Sequence, residues 1–378
     1  MLAVVLLTTG LVGAIARPWR VPAWVLPLVA AILARLFGVV SGEQLHAALR
    51  PLASPLAFIL VAVPFAASLD DVGVFDELAA RAARSRHVVG ALWVLAGCVV
   101  ALLNLDAAVV LLTPLYIRTA LLVDVDPVAL AFQPVLLASL ASSVLVVSNL
   151  TNLIAAEHLA LTNAEFLRHV ALPSIAASAI GWLAYRRCFR VKARVTLVER
   201  AVDRRALVVG LGAIACFLGL LFFVAPWIAA LIAEAGLLLV TRRVPLRFVP
   251  WRTVIVAAAL AVLAAGVAIA FPDVFGALGR GGLRGFGAGV LAANVLNNLP
   301  AVIVGLPHVH VQSHVWPLLL GVNLGPTVLL TGSLAGLLWQ AGAQRAGVQV
   351  SALHYTRVGV RVGIPAMLAA AAVFFVLK

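Results

Sequence analysis

Long apolar blocks alternate with short polar connections along the whole chain. The block from Val88 to Leu122 is too long for one membrane span of about 20 residues and too short for two full ones. Asn104 and Asp106 interrupt it near the middle. We therefore predict a re-entrant hairpin over about 88–122. Its polar tip would stop inside the membrane, where non-helical backbone must be buried in protein or line a cavity.

A second polar interruption, VLNNLPAVIVG, lies at 295–305 and predicts a second hairpin over about 284–306. Each hairpin precedes an apolar segment broken by small and polar residues, at about 128–160 and about 315–340. In the first of these we expect the helix to unwind at Ser148–Asn152. A hairpin followed by a broken helix, occurring twice, is typical of a secondary transporter built from two repeats.

The full pattern predicts an all-α polytopic membrane protein with about 10 transmembrane helices, two opposed re-entrant hairpins and inverted-topology repeats. The first transmembrane repeat covers 1–185, a basic cytoplasmic linker covers 186–205, and the second repeat covers 206–378. If each hairpin arm crossed the membrane fully, the count would be 12 spans. Residues 75–86, FDELAARAARSR, have helical apolar spacing with arginines on other faces, which predicts an interfacial helix.

The basic residues orient these segments, because cytoplasmic loops carry an excess of Lys and Arg. The linker 186–205 has eight Arg or Lys residues. Placing it inside also puts the connection Arg242–Arg252 inside and the loop His308–His314 outside. The two hairpins then open to opposite sides, with exceptions to the charge rule at Arg50, Arg280 and Arg284.

Composition narrows the function classes. The 378 residues are 64% hydrophobic and 11% charged, which excludes a soluble globular protein. The net charge of +13 lies in short connections, so we expect no nucleic-acid partner. No GxxxxGK[ST], HExxH or GxSxG motif occurs, so we expect a transporter without a cofactor and not an enzyme. A membrane enzyme or a receptor, the competing class, would need a catalytic constellation or a sizeable soluble domain.

Polar residues at the two tips and the two breaks form the candidate site for substrate and ion. Amide oxygens, hydroxyls and freed carbonyls coordinate cations, and helix N-termini attract anions. A carboxylate such as Asp106 takes up a proton or balances Na⁺; the structural alternatives are an Asp satisfied by backbone N–H groups and packing through small residues. The candidates are Asn104, Asp106, Thr113, Ser148, Asn149, Thr151, Asn152, Asn297, Asn298, Thr331, Gly332 and Ser333.

Two more carboxylates, Glu234 within an apolar run and Asp70 at a helix end, are candidates for a proton relay. The alternatives are a partner for an interior polar group and an interfacial position. His308, His310 and His314 have no carboxylate or cysteine nearby in sequence, so we predict a solvated loop and no metal site.

Several stretches resemble the ion-transporter superfamily, and most closely its arsenical-pump membrane-protein branch, whose members export arsenite and antimonite. The resemblance covers roughly 25–375. DAAVVLLTP recurs across the wider superfamily, including citrate, dicarboxylate and sodium–proton transporters. The stretches are LDDVGVFDELAARAAR (69–84), DAAVVLLTP (106–114), VSNLTNLIAAEHLAL (147–161), NNLPAVIVG (297–305) and NLGPTVLLTGSLAGLLW (323–339).

The resemblance implies an inverted-repeat fold with a site between hairpin tips and unwound helices. One half of that site would hold Asn104, Asp106, Ser148, Asn149 and Asn152, and the other Asn297, Asn298, Gly332 and Ser333. The branch usually has Asn-Asp at the first tip, whereas Leu105 precedes Asp106 here. This departure bears on the substrate more than on the fold.

We therefore expect a multi-pass transporter of the plasma membrane that expels an arsenite- or antimonite-type metalloid against proton entry. A citrate, dicarboxylate or other anion carrier and a Na⁺/H⁺ antiporter stay open as alternatives. The coupling ion is H⁺ or Na⁺. The partners are a small inorganic or organic solute and the lipid bilayer, and the resemblance leaves open a homodimer and an accessory ATPase.

Overall fold

The computed structural model describes residues 1–16, 21–85, 87–189, 204–242 and 246–376. Within these residues every regular element is a helix and no strand occurs, as predicted for the fold class. Most of the predicted linker 186–205 lies outside the described residues. The first eleven helices are α1 Leu2–Ala16, α2 Val25–Leu36, α3 Gly42–Leu49, α4 Ala53–Val72, α5 Val74–Ala83, α6 Val88–Leu102, α7 Leu105–Leu122, α8 Pro127–Leu140, α9 Leu150–Leu159, α10 Asn163–Phe166 and α11 Leu172–Cys188.

The helices that follow the linker have the same mixture of long and short elements. A π-helical turn, Leu167–Ala171, makes α10 and α11 nearly continuous. The later helices are α12 Arg204–Leu220, α13 Pro226–Thr241, α14 Trp251–Ala270, α15 Gly282–Leu296, α16 Asn298–Gly305, α17 Val315–Leu324, α18 Leu334–Arg345 and α19 Ala352–Val376.

Five helices in the described chain are long and apolar enough to cross a membrane. Several shorter apolar helices, α6 and α8 among them, accompany these candidates. The multi-pass helical class is therefore confirmed, while the count of ten spans and the depth of the hairpins stay predictions. The five candidates are Ala53–Val72, Leu105–Leu122, Asn163–Cys188, Leu246–Ala270 and Ala352–Val376.

Helices α6 and α7 form an antiparallel pair whose bounds match the first predicted hairpin. Only Leu103 and Asn104 separate them. The Tyr116 hydroxyl donates to the Leu92 carbonyl at 2.6 Å, so a residue late in α7 lies beside one early in α6. In the second pair, a single residue, Asn297, separates α15 from α16.

Each pair is followed by two helices separated by an irregular break. The break between α8 and α9 covers the nine residues 141–149, and the break between α17 and α18 covers the nine residues 325–333. We expected the first break at Ser148–Asn152, but Asn152 lies inside α9. The reason is a cap: the Asn149 side-chain oxygen accepts from the Thr151 N–H at 3.2 Å and starts the helix early.

The structure adds detail on both sides of α4, before its first residue and after its last. The polar connection before α4 contains α3, which a capping box between Ser41 and Gln44 stabilises. Gly73, with φ +88°, ends α4 and separates it from α5, the predicted interfacial helix. Asp70 therefore lies in the last turn of α4.

Helices α11 and α19 pack extensively against each other across the two halves of the chain. On another face, α19 presses two glycines against the second break. A Cβ on Gly359 would clash with the Thr327 carbonyl oxygen, and one on Gly363 would lie 2.9 Å from the Thr327 Cβ. The small-xxx-small spacing thus lets α19 approach the break at backbone distance.

Candidate functional site

The tip of the first hairpin contacts the first break directly. The Asn104 side-chain amide donates to the Val147 carbonyl at 3.3 Å, and the Ser148 hydroxyl donates to the Ala101 carbonyl at 2.6 Å. The Asn104 side-chain oxygen also accepts from the Asp106 N–H at 2.8 Å, which caps α7. Asn104 therefore caps the start of α7 and also holds the hairpin tip against the first break.

The tip of the second hairpin makes the same pair of contacts. The Asn297 amide donates to the Thr331 carbonyl at 3.1 Å, and its side-chain oxygen accepts from the Leu299 N–H at 3.3 Å. Asn297 has φ +80° and ψ 151°, a backbone region that is essentially limited to glycine, so the second tip holds a strained residue. Asn104 and Asn297 therefore have matching roles in the two halves.

A buried network of amides and hydroxyls links the first break to the second half. Asn323, at the end of α17 and 1% exposed, is its centre. Its side-chain oxygen accepts from the Asn149 amide at 3.0 Å and from the Thr151 hydroxyl at 2.6 Å. Its amide donates to Ser143 at 3.0 Å and to Asn152 at 2.7 Å. These side chains supply hydrogen-bond partners for one another, so the network fixes the shape of the region around Asn323, called the centre below.

Asp106 differs from that network because its carboxylate is accessible. It lies deep in the helical bundle, yet part of its side chain is exposed. Among the described residues no hydrogen bond or ion pair reaches its carboxylate, and its backbone lies in the first turn of α7. An accessible carboxylate at this depth can take up a proton or a small cation.

The second break brings glycine and hydroxyl groups to the same region. A Cβ on Gly332 would lie 2.8 Å from the Pro326 Cα, so only glycine allows the break to fold back on itself. The Ser333 hydroxyl accepts from the Gly336 N–H at 3.3 Å and caps α18. Asn298 is buried in the first turn of α16. Four helices therefore begin at the tips and breaks: α7, α9, α16 and α18.

Three predicted polar residues form contacts away from the tips. The Thr113 hydroxyl donates to the Val109 carbonyl within α7, at 2.6 Å, about two turns from the tip. Glu234 on α13 accepts from the Ser68 hydroxyl on α4 at 2.8 Å, and its other oxygen is buried with no hydrogen-bond partner in the described residues. Asp70 lies in the same helix as Ser68, half-buried.

The histidines of the loop His308–His314 have contacts and exposure unlike those of the network around Asn323. His314 contacts the Gly279 carbonyl through Nδ1 at 3.1 Å, and His310 is exposed. Within the described residues no group of three or more His, Cys, Asp or Glu side chains could hold a metal ion.

Sequence reasoning missed four residues of the centre: Ser142, Ser143, Asn294 and Asn323. Asn323 is the first residue of the NLGPTVLLTGSLAGLLW stretch, and Ser142 and Ser143 lie in the predicted broken segment 128–160, just after Ala141, which caps α8. Asn294 precedes Asn297 by about one helical turn on α15. Its amide donates to the carbonyls of Val290 and Gly325, both at 2.9 Å.

Comparison with known proteins gives the family. The model of the citrate transporter family (CitMHS) matches residues 4–336. The chain belongs to this family. The CitMHS match covers α1 to the first residues of α18, and so includes both antiparallel pairs and both breaks.

Curated relatives carry a different name. The chain is 26% identical over 391 residues to an "Arsenical pump membrane protein" of Escherichia coli K12, with 89% of each protein covered. It is 26% identical over 386 residues to a protein of the same name in Yersinia enterocolitica, with 90% of each covered. This CitMHS chain is thus a multi-pass membrane transporter of the citrate-transporter and arsenical-pump type.

Proposed function

We propose that this CitMHS transporter expels a neutral metalloid hydroxide such as arsenite, and that proton entry through Asp106 drives the export. Asp106 carries the proposal: it is an accessible carboxylate without a protein partner in the described residues, beside the tip of the first hairpin. A proton taken up there would neutralise it, and the energy of the proton gradient would enter at that step.

The chemistry of the centre supports a neutral hydrogen-bonding substrate. Near pH 7 arsenite is largely uncharged As(OH)₃, which needs hydrogen-bond donors and acceptors and no counter-ion. The network around Asn323 consists of amides and hydroxyls, and none of its described members is basic. The name shared by the curated relatives, arsenical pump membrane protein, supports the same substrate class.

A citrate-type anion is the second candidate, because the matching family model is named for citrate. A carboxylate substrate could use the N-termini of α7, α9, α16 and α18, whose backbone dipoles favour negative charge. It would bind without an arginine clamp.

The inverted arrangement with two opposed hairpins and ten spans belongs to the same proposal. Its support is the repeated order of antiparallel pair and broken helix, with matching asparagines at the tips. A contact between Trp24 and Trp251 supports one shared side for the basic connections next to them, since the ring centres lie 5.6 Å apart. In this scheme α7 begins inside the membrane at the hairpin tip, although its 18 residues are long enough to cross.

We assign Glu234 a secondary role as a proton relay between α13 and α4, with Asp70 at the end of α4. One Glu234 oxygen is satisfied by Ser68, while the other is buried without a partner among the described residues. That second oxygen is the position at which a relayed proton would be held.

The test is uptake of radiolabelled arsenite into everted membrane vesicles energised by a proton gradient. Asp106→Asn keeps the shape of the side chain and removes its charge, so we expect gradient-driven uptake to be lost while the protein folds normally. Asp126→Asn is the matched control. Asp126 is exposed and caps α8 through Val128 N–H at 2.9 Å, and Asn caps equally well.

Different outcomes separate the parts of the proposal. Undiminished proton-driven uptake in Asp106→Asn would make Asp106 structural. Measurable citrate, dicarboxylate or Na⁺ flux with no arsenite uptake would remove the metalloid assignment and leave the transporter class intact. Loss of uptake in Asp126→Asn as well would show that the assay reports folding and not coupling.

A further inference from the structure

A long apolar groove on the outside of the helical bundle lies apart from the central site. It has a volume of about 1190 Å³ and runs between α6, α8 and α11. Its outer edge exposes Val94 and Ile175, which are 62% and 58% accessible, and Cys98 is also exposed there. The groove exceeds the ~300–1,000 Å³ typical of small-molecule pockets, so it is oversized for a solute such as arsenite.

The two ends of the groove differ in charge. His87 and Arg186 line one end, and the Arg186 guanidinium lies 5.7 Å from the ring centre of Trp182. Among the described residues that line the groove there is no Asp or Glu. Arg186 also opens the basic linker, whose sequence adds further Arg and Lys residues nearby in the chain. The charged end therefore favours an anion.

The other end reaches the hairpin tip. Ala101, whose carbonyl accepts from Ser148, lines it together with Ala141 and Val144 of the first break. Along α11 the groove extends from Ser174 to Arg186, twelve residues or about 18 Å of helix. One leaflet of the hydrocarbon core is about 15 Å thick, so the groove spans roughly one leaflet.

We propose that this groove binds an anionic phospholipid of the leaflet that faces the basic linker. Its headgroup phosphate lies at Arg186 and His87, and an acyl chain follows Trp93 and Leu137 toward the hairpin tip. Basic pockets between transmembrane helices on the cytoplasmic side bind anionic headgroups in this way. An arginine beside a tryptophan ring at the membrane surface suits the same headgroup level.

The test uses the chain's own cysteines as reporters. In a variant that keeps Cys98 alone (Cys188→Ser, Cys216→Ser), a bimane label at Cys98 reports on the groove. Cys216, exposed on α12, gives the matched reporter of ordinary surrounding lipid in the variant that keeps it alone. Each labelled protein is reconstituted in nanodiscs that contain either phosphatidylglycerol or phosphatidylcholine with brominated acyl chains. A bromine atom that comes close to the label quenches its fluorescence. We expect brominated phosphatidylglycerol to quench Cys98 more than brominated phosphatidylcholine does, and both to quench Cys216 equally.

Arg186→Gln tests the headgroup contact, and Arg187→Gln is its neighbour control. Both arginines are exposed, but only Arg186 lines the groove. Removing one basic residue near an anionic leaflet costs about 1 kcal/mol, so Arg186→Gln should reduce the phosphatidylglycerol preference about fivefold. Arg187→Gln should leave it nearly unchanged.

A blocking variant gives a second readout. A Cβ on Gly97 would lie 3.7 Å from the Leu137 side chain, an ordinary contact, so Gly97→Leu fills the groove without a clash at its base. We expect it to retain fewer phosphatidylglycerol molecules after detergent washing, counted by native mass spectrometry. Equal quenching of Cys98 by the two lipids, or equal effects of Arg186→Gln and Arg187→Gln, would overturn the proposal. Cross-linking of two copies through Cys98 would assign the groove to a second chain instead.

Discussion

Asn323 offers the sharpest test of how the two halves of the chain are joined. Asn323→Ala removes four side-chain hydrogen bonds, to Asn149, Thr151, Ser143 and Asn152. Hydrogen bonds between side chains in membrane proteins contribute about 0.6 kcal/mol on average, which gives about 2.4 kcal/mol for four. Buried partners left unpaired add to the loss. We expect the free energy of unfolding to fall by about 2–4 kcal/mol.

The measurement is SDS titration in mixed micelles, followed by tryptophan fluorescence. A double-mutant cycle with Thr151→Val isolates one bond, the 2.6 Å contact between the Thr151 hydroxyl and the Asn323 oxygen. Its coupling should lie between about 0.6 and 1.7 kcal/mol. Thr119→Val is the matched control, because Thr119 is equally buried but donates only to Leu115 in its own helix. A loss below about 0.5 kcal/mol for Asn323→Ala, less than one average bond, would refute the view that this network holds the halves together.

Three further changes test separate parts of the fold and the proposed function. Val195→Cys and Val311→Cys should label from opposite sides of the membrane in intact cells and in everted vesicles, and labelling from the same side would remove the inverted-repeat arrangement. Gly332→Ala should lower the melting temperature, because its Cβ would lie 2.8 Å from the Pro326 Cα. Gly212→Ala, with open space around its Cβ, should leave that temperature unchanged or raise it slightly. Glu234→Gln can still accept from Ser68 and should fold, but proton-driven uptake should fall, and normal uptake would make Glu234 a structural partner of Ser68.

The sequence predicted the helical class, because long apolar runs interrupted by a few polar residues have few structural solutions in lipid. It also predicted where the two helix pairs lie along the chain, while their re-entry into the membrane stays a prediction. The bounds of α6 and α7 reproduce the predicted 88–122. The start of α9 was less predictable, since it depends on whether Asn149 caps a helix or lies within unwound chain. The role of Asn323 could not be predicted, because its partners lie more than 170 positions away and only the folded chain brings them together.

The residues of the candidate site also differ in how far their roles could be predicted from the sequence. Asn104, Asn149 and Asn297 were recognisable as polar residues in apolar surroundings, and the structure gives each a cap and a tertiary contact. Thr113 has the same sequence appearance, but its hydroxyl is satisfied inside α7. Polarity alone does not distinguish a hydroxyl that faces its own helix from one that faces the centre.

The two glycines of α19 make that helix a close neighbour of the second break, to which the Tyr355 hydroxyl of α19 also donates, at the Pro326 carbonyl, at 3.2 Å. Gly359 and Gly363 set how closely the second break can approach, so a methyl group added at either position would push Thr327 toward the centre. Selection for altered substrate preference should therefore recover substitutions at Gly359 and Gly363. These positions lie on the side of the second break that faces α19, away from the proposed substrate site. In an evolving transporter such positions could retune selectivity while every residue that touches the cargo stays the same.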